Sequence, residues 1–487
     1  MGGATLGHAL ANQGRSVLFL ERGRDLSAPE AIRGVPAEAS TEYQSINAEE
    51  RMRVLARSGR SAESIQDALA RDTFVPFIGC GTGGSSSLYG MVLERLFPRD
   101  FSHWPLSYEQ MAPWYRRAEA LYGVTGTADA MRSADDASLG VPEPPGELSD
   151  ANAVVFAHLR RRGLHPYRVH TACRRLPDCR MCQGYLCPHG TCKNDARTTC
   201  LLPALARPEV QLLTSARVMR LDAEGRRVAA VRAVVSGQEQ TFHAKVTVLA
   251  AGALMTPRLL LESGNLANSS GLVGRRLMRH LIDLYVLAMA PRVERASEAK
   301  ELGLNDFYVE GDRATGNVQA FGMAPTLDYL RHRPGPNVWR LLGPLAVPIA
   351  RLFAAAPIVA SIAEDEPSSG NRIAINGSRL QLTYRPGAGD LERRRRLRRR
   401  VHRAFARFGA IRVVGTSSRE GLGHVCGTTT MGEDAKRSVV DPFNRAHDLD
   451  NLYVVDGSFF PTSGAMNPAL TIAANALRVA QHLDSVL

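Results

Sequence analysis

The sequence predicts an α/β fold in which a discontinuous domain of parallel strands and helices carries an inserted α+β domain built on an antiparallel sheet. Two observations predict it. Apolar strands followed by a small-residue turn and a helix occur near the start, in the middle and near the end of the chain, as in βαβ architectures. Ahead of the last of these, apolar and polar residues alternate at 372–375 and 380–384, which favours antiparallel strands. At 487 residues the chain is long for a single core, so more than one domain is expected.

The order of the predicted elements and the local composition indicate where the domain boundaries are expected. Residues 1–110, 195–290 and 420–487 are predicted to form the discontinuous domain, 111–194 a helical and cysteine-rich insert, and 291–419 a substrate-covering domain. Apolar residues make up 44% and charged residues 22% of the chain, as in ordinary globular proteins. The sequence contains neither an apolar run of about 18 residues nor a secretory signal pattern. We therefore expect no membrane span and a cytoplasmic location.

The net charge of +12 could indicate contact with nucleic acid or a membrane. Much of the excess lies in one arginine-rich run, 393–400, whose apolar residues recur at helical spacing. Aromatic residues interleaved for base stacking are missing from this run. A solvated helix face is therefore preferred to a nucleic-acid site, and no nucleic-acid partner is expected.

The first 23 residues are typical of the second half of a Rossmann-like dinucleotide-binding unit. A glycine pair, Gly2-Gly3, opens a helix at 4–11, and an apolar strand, 17–20, ends at Glu21. Gly3 fits the last glycine of the phosphate-binding motif, and a carboxylate at Glu21 would accept hydrogen bonds from a ribose. A strand and further glycines should precede Gly2, so we expect the chain to lack the natural start of the motif.

A glycine-serine turn at 78–91, IGCGTGGSSSLYGM, is the second feature of this domain. Gly83 and Gly84 let the backbone approach a ligand, and Ser85 and Ser86 add hydroxyl donors. A flexible surface turn is the alternative. Apolar residues on both sides favour phosphate binding instead. An amphipathic helix is predicted over 107–121.

Six of the eight cysteines lie within 173–200. The spacing of Cys173, Cys179, Cys182 and Cys187 is similar to that of zinc or iron–sulfur ligands. A second clean C-x2-C pair is missing, so a loop packed by free thiols or disulfides is preferred, and no metal is assigned.

The middle strand–turn–helix follows strands predicted at 210–213, 218–221, 228–235 and 241–249. A turn of small residues, 250–253, includes Gly252, and Thr256-Pro257 predicts the start of a helix that ends at 263–264. Such a turn could let the backbone approach a cofactor or be purely structural. Further on, the apolar region 341–363 is interpreted as a buried or pocket helix, and the acidic residues 364–366 as a solvated turn.

The C-terminal block, 424–471, combines a histidine, a strand, a turn and a helix. The strand at 452–455 ends in Asp456-Gly457, and a helix begins after Asn467-Pro468. A strand, a polar turn and a helix start of this kind can aim backbone N–H groups at an anion. His424 could remove a proton from an alcohol, and Asn467 could donate a hydrogen bond to the oxygen left behind.

Four blocks in this order resemble the glucose–methanol–choline (GMC) oxidoreductase family. They are GGATLGHALANQGRSVLFLERG, GCGTGGSSSLYG, GALMTPRLLLESG, and HVCGTTTMG with VVDGSFFPTSGAMNPALTI. Tyr89 departs from the family pattern, which usually has Asn or His there. The resemblance implies a discontinuous FAD-binding domain, non-covalent FAD, and oxidation of a small-molecule alcohol with the proton passing to His424 and the hydride to flavin N5.

The resemblance also implies roles for individual residues. His424 and Asn467 would be the catalytic pair, and Glu364 looks like a pocket glutamate of some members. The implied cofactor contacts are Gly2, Gly3, Glu21, Gly83, Gly84, Ser85, Ser86, Val218, Gly252, Asp456, Gly457 and Pro468. A flavin-dependent lyase or isomerase and an inactive, truncated paralogue are the alternatives. The alcohol and the electron acceptor stay open.

Overall fold

Seven helices and seventeen strands are described in a computed structural model of the chain. It describes residues 1–26, 75–76, 78–133, 136, 141–144, 146–174, 187, 192–294, 300–308, 315–323, 343–345, 348, 353–377, 379–415, 420–421 and 424–487. The helices are α1 (Gly2–Asn12), α2 (Tyr108–Tyr122), α3 (Asp150–Arg161), α4 (Leu202–Leu205), α5 (Gly252–Glu262), α6 (Ala388–Ala404) and α7 (Ala469–Val486). The strands are β1 (Val17–Leu20), β2 (Val75–Pro76), β3 (Tyr167–Arg168), β4 (Val210–Leu213), β5 (Ala216–Glu224), β6 (Arg227–Val235), β7 (Gln238–Phe242), β8 (Thr247–Leu249), β9 (Leu281–Leu287), β10 (Leu302–Leu304), β11 (Asn317–Met323), β12 (Pro357–Ala363), β13 (Arg372–Asn376), β14 (Arg379–Thr383), β15 (Ala410–Gly415), β16 (Glu420–Gly421) and β17 (Leu452–Val454).

The parallel part joins the beginning, middle and end of the chain. Strand β1 pairs in parallel with β4, and β17 pairs in parallel with β8. Helix α1 buries Leu6 and Leu10 in a core shared with Val455 and Val479. Apolar residues of α1 and α7 therefore meet over β17, which confirms the predicted α/β class and its discontinuous chain path.

The antiparallel part is a six-stranded sheet with the order β15-β9-β12-β11-β10-β3. Every residue of β9 and β12 is buried. Helix α6 packs on this sheet through Leu397 and Val401. The register places Ala363 of β12 opposite Leu281 of β9, so the residues just beyond these two strand ends lie side by side. This edge of the sheet faces the C-terminal block.

Several predicted elements differ from the observed ones. Residues 241–249 form parts of two strands, because β7 pairs with β6 whereas β8 pairs with β17. Helix α5 begins at Gly252 rather than at Thr256, because Oδ2 of Asp456 accepts the Gly252 N–H at 2.9 Å and stabilises the earlier start. Of the apolar region 341–363, residues 357–363 form strand β12 rather than a helix.

The arginine-rich run forms α6, but its face is not wholly solvated as predicted. Arg394 is 7% exposed and donates through both Nε and Nη2 to the buried carboxylate of Asp283, and Arg398 does the same from the next turn. Two of the charges thus fix α6 to β9. Across the described ranges, no helix has the length and apolar character needed to cross a bilayer.

Candidate active site

His424 lies beside the segment that leads into β9. Its backbone N–H donates to the carbonyl of Arg279 at 2.8 Å, and Cys426 and Met278 form an antiparallel bridge. This pairing brings the side chain of His424 against that of His280, with the two rings edge to face at 5.1 Å between centroids. Two histidines that are 144 positions apart in the chain are thereby neighbours.

The side chains around His424 form a continuous run of hydrogen bonds. His280 contacts the carbonyl oxygen of Ser463 through Nε2 at 3.1 Å and His424 through Nδ1 at 2.9 Å. On the other side of the ring, Nδ2 of Asn467 lies 3.3 Å from Nε2 of His424. Gln319 of β11 donates to Oδ1 of Asn467 at 2.7 Å. The structure thus brings His424 and Asn467 together and adds two partners that the sequence analysis missed.

Asp365 holds the segment before β9 in place. Its carboxylate, 1% exposed, accepts the backbone N–H groups of Arg279 and His280 at 2.8 and 2.9 Å. It also accepts the hydroxyls of Tyr384 and Ser463 at 2.7 and 3.1 Å. The predicted solvated acidic turn is therefore wrong for Asp365, because four donors from distant segments compensate the cost of burying its charge.

Burial shifts the pKa values of the titratable groups in this site. Desolvation, with smaller contributions from the charges of His280 and Lys300, lowers the pKa of His424 to about 3. Desolvation likewise lowers the pKa of His280. Glu364 is only partly exposed, so the solvated-turn prediction fails for this residue also, and desolvation and the nearby Asp100 raise its pKa to about 8. At neutral pH both imidazoles are uncharged and Glu364 carries its proton.

The predicted cofactor residues take up varied positions. Glu21 follows directly after β1 and accepts the backbone N–H groups of Gly23 and Gly81 through Oε1, at 2.7 and 3.2 Å. Both carboxylate oxygens of Asp456 accept hydrogen bonds from the protein, Oδ1 from Ser458 and Oδ2 from Gly252 and Thr256. Asp456 therefore stabilises the starts of two helical segments.

The remaining predicted contacts are distributed over four elements. Ser85 is exposed, whereas Ser86 is buried and bonded to the Gly83 carbonyl at 2.6 Å. Pro468 precedes α7, Gly457 begins the 3₁₀ helix Gly457–Phe459, and Val218 is half-buried in β5.

The residues at the N-terminus of α1 and in the glycine-serine turn fit FAD. A Cβ at Gly2 would lie 1.7 Å from the carbonyl oxygen of Val455, and one at Gly3 would lie 2.7 Å from Cβ of Ala250. Glycine is thus required for α1 to start so close to β17 and the turn after β8. At the other turn, a Cβ at Gly83 would lie 2.9 Å from Cβ of Arg197. Arg197 is 5% exposed, and its Nε has no hydrogen-bond partner among the described residues. A buried cation with an unused donor suits an anionic, carbonyl-bearing cofactor.

The cysteine-rich insert is described only in part. Cys179 and Cys182 lie outside the described residues. Cys173 and Cys192 are buried with their Sγ atoms 3.9 Å apart, and Cys187 is buried in the same apolar cluster. Within the described ranges, no group of three or more potential ligands could hold a metal ion.

A discontinuous dinucleotide-binding fold and a neutral histidine paired with an asparagine define a class of oxidoreductase that takes FAD. Two family models described as GMC oxidoreductase match residues 45–282 and 367–476, more than half of the chain. The chain belongs to the GMC oxidoreductase family, whose members are FAD-dependent and oxidise alcohol groups.

Relatives and solved structures agree with this assignment over nearly the whole chain. The 6'''-hydroxyparomomycin C oxidase of Streptomyces lividus is 29% identical over 100% of this chain and 90% of its own length. The 2-methyl-1,2-propanediol dehydrogenase of Mycolicibacterium austroafricanum is 26% identical over 84% of this chain and 81% of its own. The crystal structure of pyridoxine 4-oxidase from Mesorbium loti superposes with a TM-score of 0.64 at 20% identity, covering 99% of this chain and 97% of that one. These proteins confirm the fold and the reaction class that the sequence predicts.

Proposed function

We propose that the chain oxidises a small-molecule alcohol at the site formed by His424 and Asn467, with His424 as the base. The observation that carries the proposal is the contact at 3.3 Å between Asn467 Nδ2 and His424 Nε2. It places a hydrogen-bond donor next to a neutral imidazole nitrogen, so one hydroxyl group could contact both. Nε2 would take the hydroxyl proton of the substrate. Asn467 would donate to the oxygen that becomes negative, and it cannot itself act as a base.

FAD, when bound, supplies the acceptor for the hydride from the alcohol carbon. The residues expected to hold it are those at the start of α1, Glu21, the glycine-serine turn and the start of α7. We propose that it is bound non-covalently, because the turn at 78–91 contains no histidine. The substrates named for two of the relatives, a hydroxyparomomycin and a propanediol, carry hydroxyl groups, which supports a small-molecule alcohol and leaves the electron acceptor open.

The test is flavin reduction by alcohols under anaerobic conditions, followed by stopped-flow absorbance. In His424→Ala we expect the limiting reduction rate to fall by about 10²–10⁴-fold, the usual contribution of a general base, while flavin absorbance is retained. His243→Ala is the control, since His243 is exposed and bonded to the backbone of β6. An unchanged rate in His424→Ala would remove His424 from the proposed role. Substrate conversion without flavin reduction would favour a lyase or isomerase.

A further inference from the structure

The direction of hydrogen bonding at His280 is set by a backbone group. The carbonyl oxygen of Ser463 can only accept, so Nε2 of His280, 3.1 Å away, must carry a proton. A neutral imidazole has one protonated nitrogen, which leaves Nδ1 of His280 as an acceptor. The group facing that acceptor at 2.9 Å is Nδ1 of His424, which must therefore be the donor.

The opposite end of the run of hydrogen bonds gives the same result independently. Gln319 donates to Oδ1 of Asn467, so the amide nitrogen of Asn467 is turned toward His424. An amide nitrogen donates and does not accept, and Nε2 of His424 must therefore present a lone pair. The contacts of His280 and those of Asn467 therefore lead to the same conclusion: His424 carries its proton on Nδ1, and its Nε2 can accept a proton.

We propose that His280 is a positioning residue that fixes this tautomer of His424. The inference rests on the proposed function of His424 as the base. Without the acceptor at His280 Nδ1, the Nδ1 proton of His424 would lose its partner, and only the longer contact with Asn467 at 3.3 Å would oppose its move to Nε2. Protonated on Nε2, the imidazole could no longer take a proton from an alcohol on that side.

The surroundings of His280 suit such a role. The residue is 0% exposed and adopts a left-handed backbone conformation with φ of 65°, which is uncommon for a residue with a side chain. Asp365 holds this conformation by accepting the N–H groups of Arg279 and His280. The strained segment thus aims Nδ1 of His280 at His424 with little freedom to turn away.

Two substitutions of His280 distinguish the effect of losing the hydrogen-bond acceptor from the effect of losing the volume of the ring. In His280→Asn, the amide oxygen can replace the Nδ1 lone pair, and asparagine tolerates a left-handed conformation better than most residues. In His280→Leu, no acceptor remains. Nitrogen-15 NMR of the purified, FAD-loaded chain with labelled histidine distinguishes protonated from unprotonated ring nitrogens. The signals of His424 and His280 are assigned by their loss in His424→Gln and His280→Asn.

We expect His424 to be protonated on Nδ1 in the wild type and in His280→Asn, and to become a mixture of tautomers in His280→Leu. A wild-type His424 with its proton on Nε2 overturns the proposal whether or not the leucine variant folds. A purely Nδ1-protonated His424 in a folded His280→Leu chain overturns it also. None of these measurements requires turnover, so the tautomer is decided even if no alcohol reduces the flavin and the proposed function fails.

Flavin reduction provides the second readout. We expect the limiting rate in His280→Leu to fall by roughly 10–100-fold, as for other groups that orient a histidine. The substrate concentration that gives half of the limiting rate should change little. His280→Asn should restore most of the rate. Equal losses in both variants would show that the ring serves packing and would contradict the role assigned to its acceptor.

Discussion

The low pKa of His424 makes a specific prediction about pH. Because desolvation lowers this pKa to about 3, the imidazole is neutral and able to accept a proton at any pH above about 5. We expect the limiting rate of flavin reduction to show no loss attributable to His424 between pH 8 and pH 5. Stopped-flow reduction is measured in wild type, in Glu364→Gln and in Asp100→Asn, which remove the nearby carboxyl groups with pKa values of about 8 and about 6. A fall with an apparent pKa near 6.5 in all three chains would contradict the prediction.

The lowered pKa of His424 also determines how the stability of the fold changes with pH. The unfolded chain binds a proton at His424 near the ordinary value of 6.5, whereas the folded chain does so near 3. The neutral buried imidazole therefore contributes stability above pH 6.5 that is lost progressively as the pH falls toward 3.

Glu364 shifts in the opposite direction and gives a second prediction. Its folded pKa is raised to about 8 from an ordinary value of 4.5, so its contribution to stability falls as the pH rises from 4.5 to 8. Glu364→Gln mimics the protonated acid. We expect its melting temperature, relative to wild type, to increase between pH 5 and pH 8.5. Glu366→Gln, on the same turn with a side chain 65% exposed, is the control. A difference that is constant with pH would show that Glu364 is not buried as a neutral acid.

At the scale of elements, the attachment of α6 to β9 depends on one buried carboxylate. Asp283 is 0% exposed and accepts hydrogen bonds from Arg394 and Arg398 at 2.7–2.9 Å. Although burial opposes ionisation, the hydrogen bonds from the two arginines lower the pKa of Asp283. Asp283→Asn leaves buried positive charge without its partner, for which we expect a loss of about 3–5 kcal/mol in the free energy of unfolding.

Asp222 provides the matched control for Asp283. It also binds two arginines, Arg220 and Arg232, but these side chains are 62% and 60% exposed on β5 and β6. Because solvent screens exposed ion pairs, Asp222→Asn should leave the free energy of unfolding nearly unchanged. Urea denaturation of both variants measures the difference. Similar losses in the two would show that burial does not decide the strength of the Asp283 cluster.

Individual helices and strands could be predicted from the sequence because the residue patterns that indicate them are local. The glycine pair that opens α1, the apolar residues of β1 and the Asn-Pro start of α7 can each be recognised from neighbouring residues in the chain. The prediction failed where long-range pairing decides the environment of a residue. Asp365 follows an apolar stretch and has the composition of a solvated turn, yet the register of β12 against β9 buries it beside His280.

In the candidate site, too, residues in a local motif could be predicted from the sequence, whereas residues placed by long-range pairing could not. The C-terminal block indicated His424 and Asn467, whereas His280 and Gln319 carry no motif of their own. Their relation to His424 depends on how the edge of the antiparallel sheet meets that block, which sequence spacing does not encode. Arg394 was likewise expected in solvent, because helical periodicity does not reveal a carboxylate that arrives from another strand.

At the scale of the whole molecule, the proposed cofactor site is built from segments far apart in the chain. Gly2 packs on Val455, Glu21 binds the N–H of Gly81, and Asp456 binds that of Gly252. A ligand that bridges these segments binds the folded chain and not the unfolded one. Binding of FAD should therefore stabilise the fold as a whole rather than one loop.

This coupling gives the final prediction, which concerns removal of the cofactor. If FAD is held non-covalently, guanidinium denaturation should release all flavin into the filtrate. The flavin-depleted chain should then melt at a temperature that rises with added FAD, by an amount equivalent to about 2.7 kcal/mol at a hundredfold excess over Kd. FMN is the control, because it lacks the adenosine that Glu21 is expected to bind, and its effect should be smaller. Flavin that stays with the denatured chain would contradict non-covalent binding. A melting temperature independent of FAD would instead contradict the site assembled from Gly2, Glu21 and the glycine-serine turn.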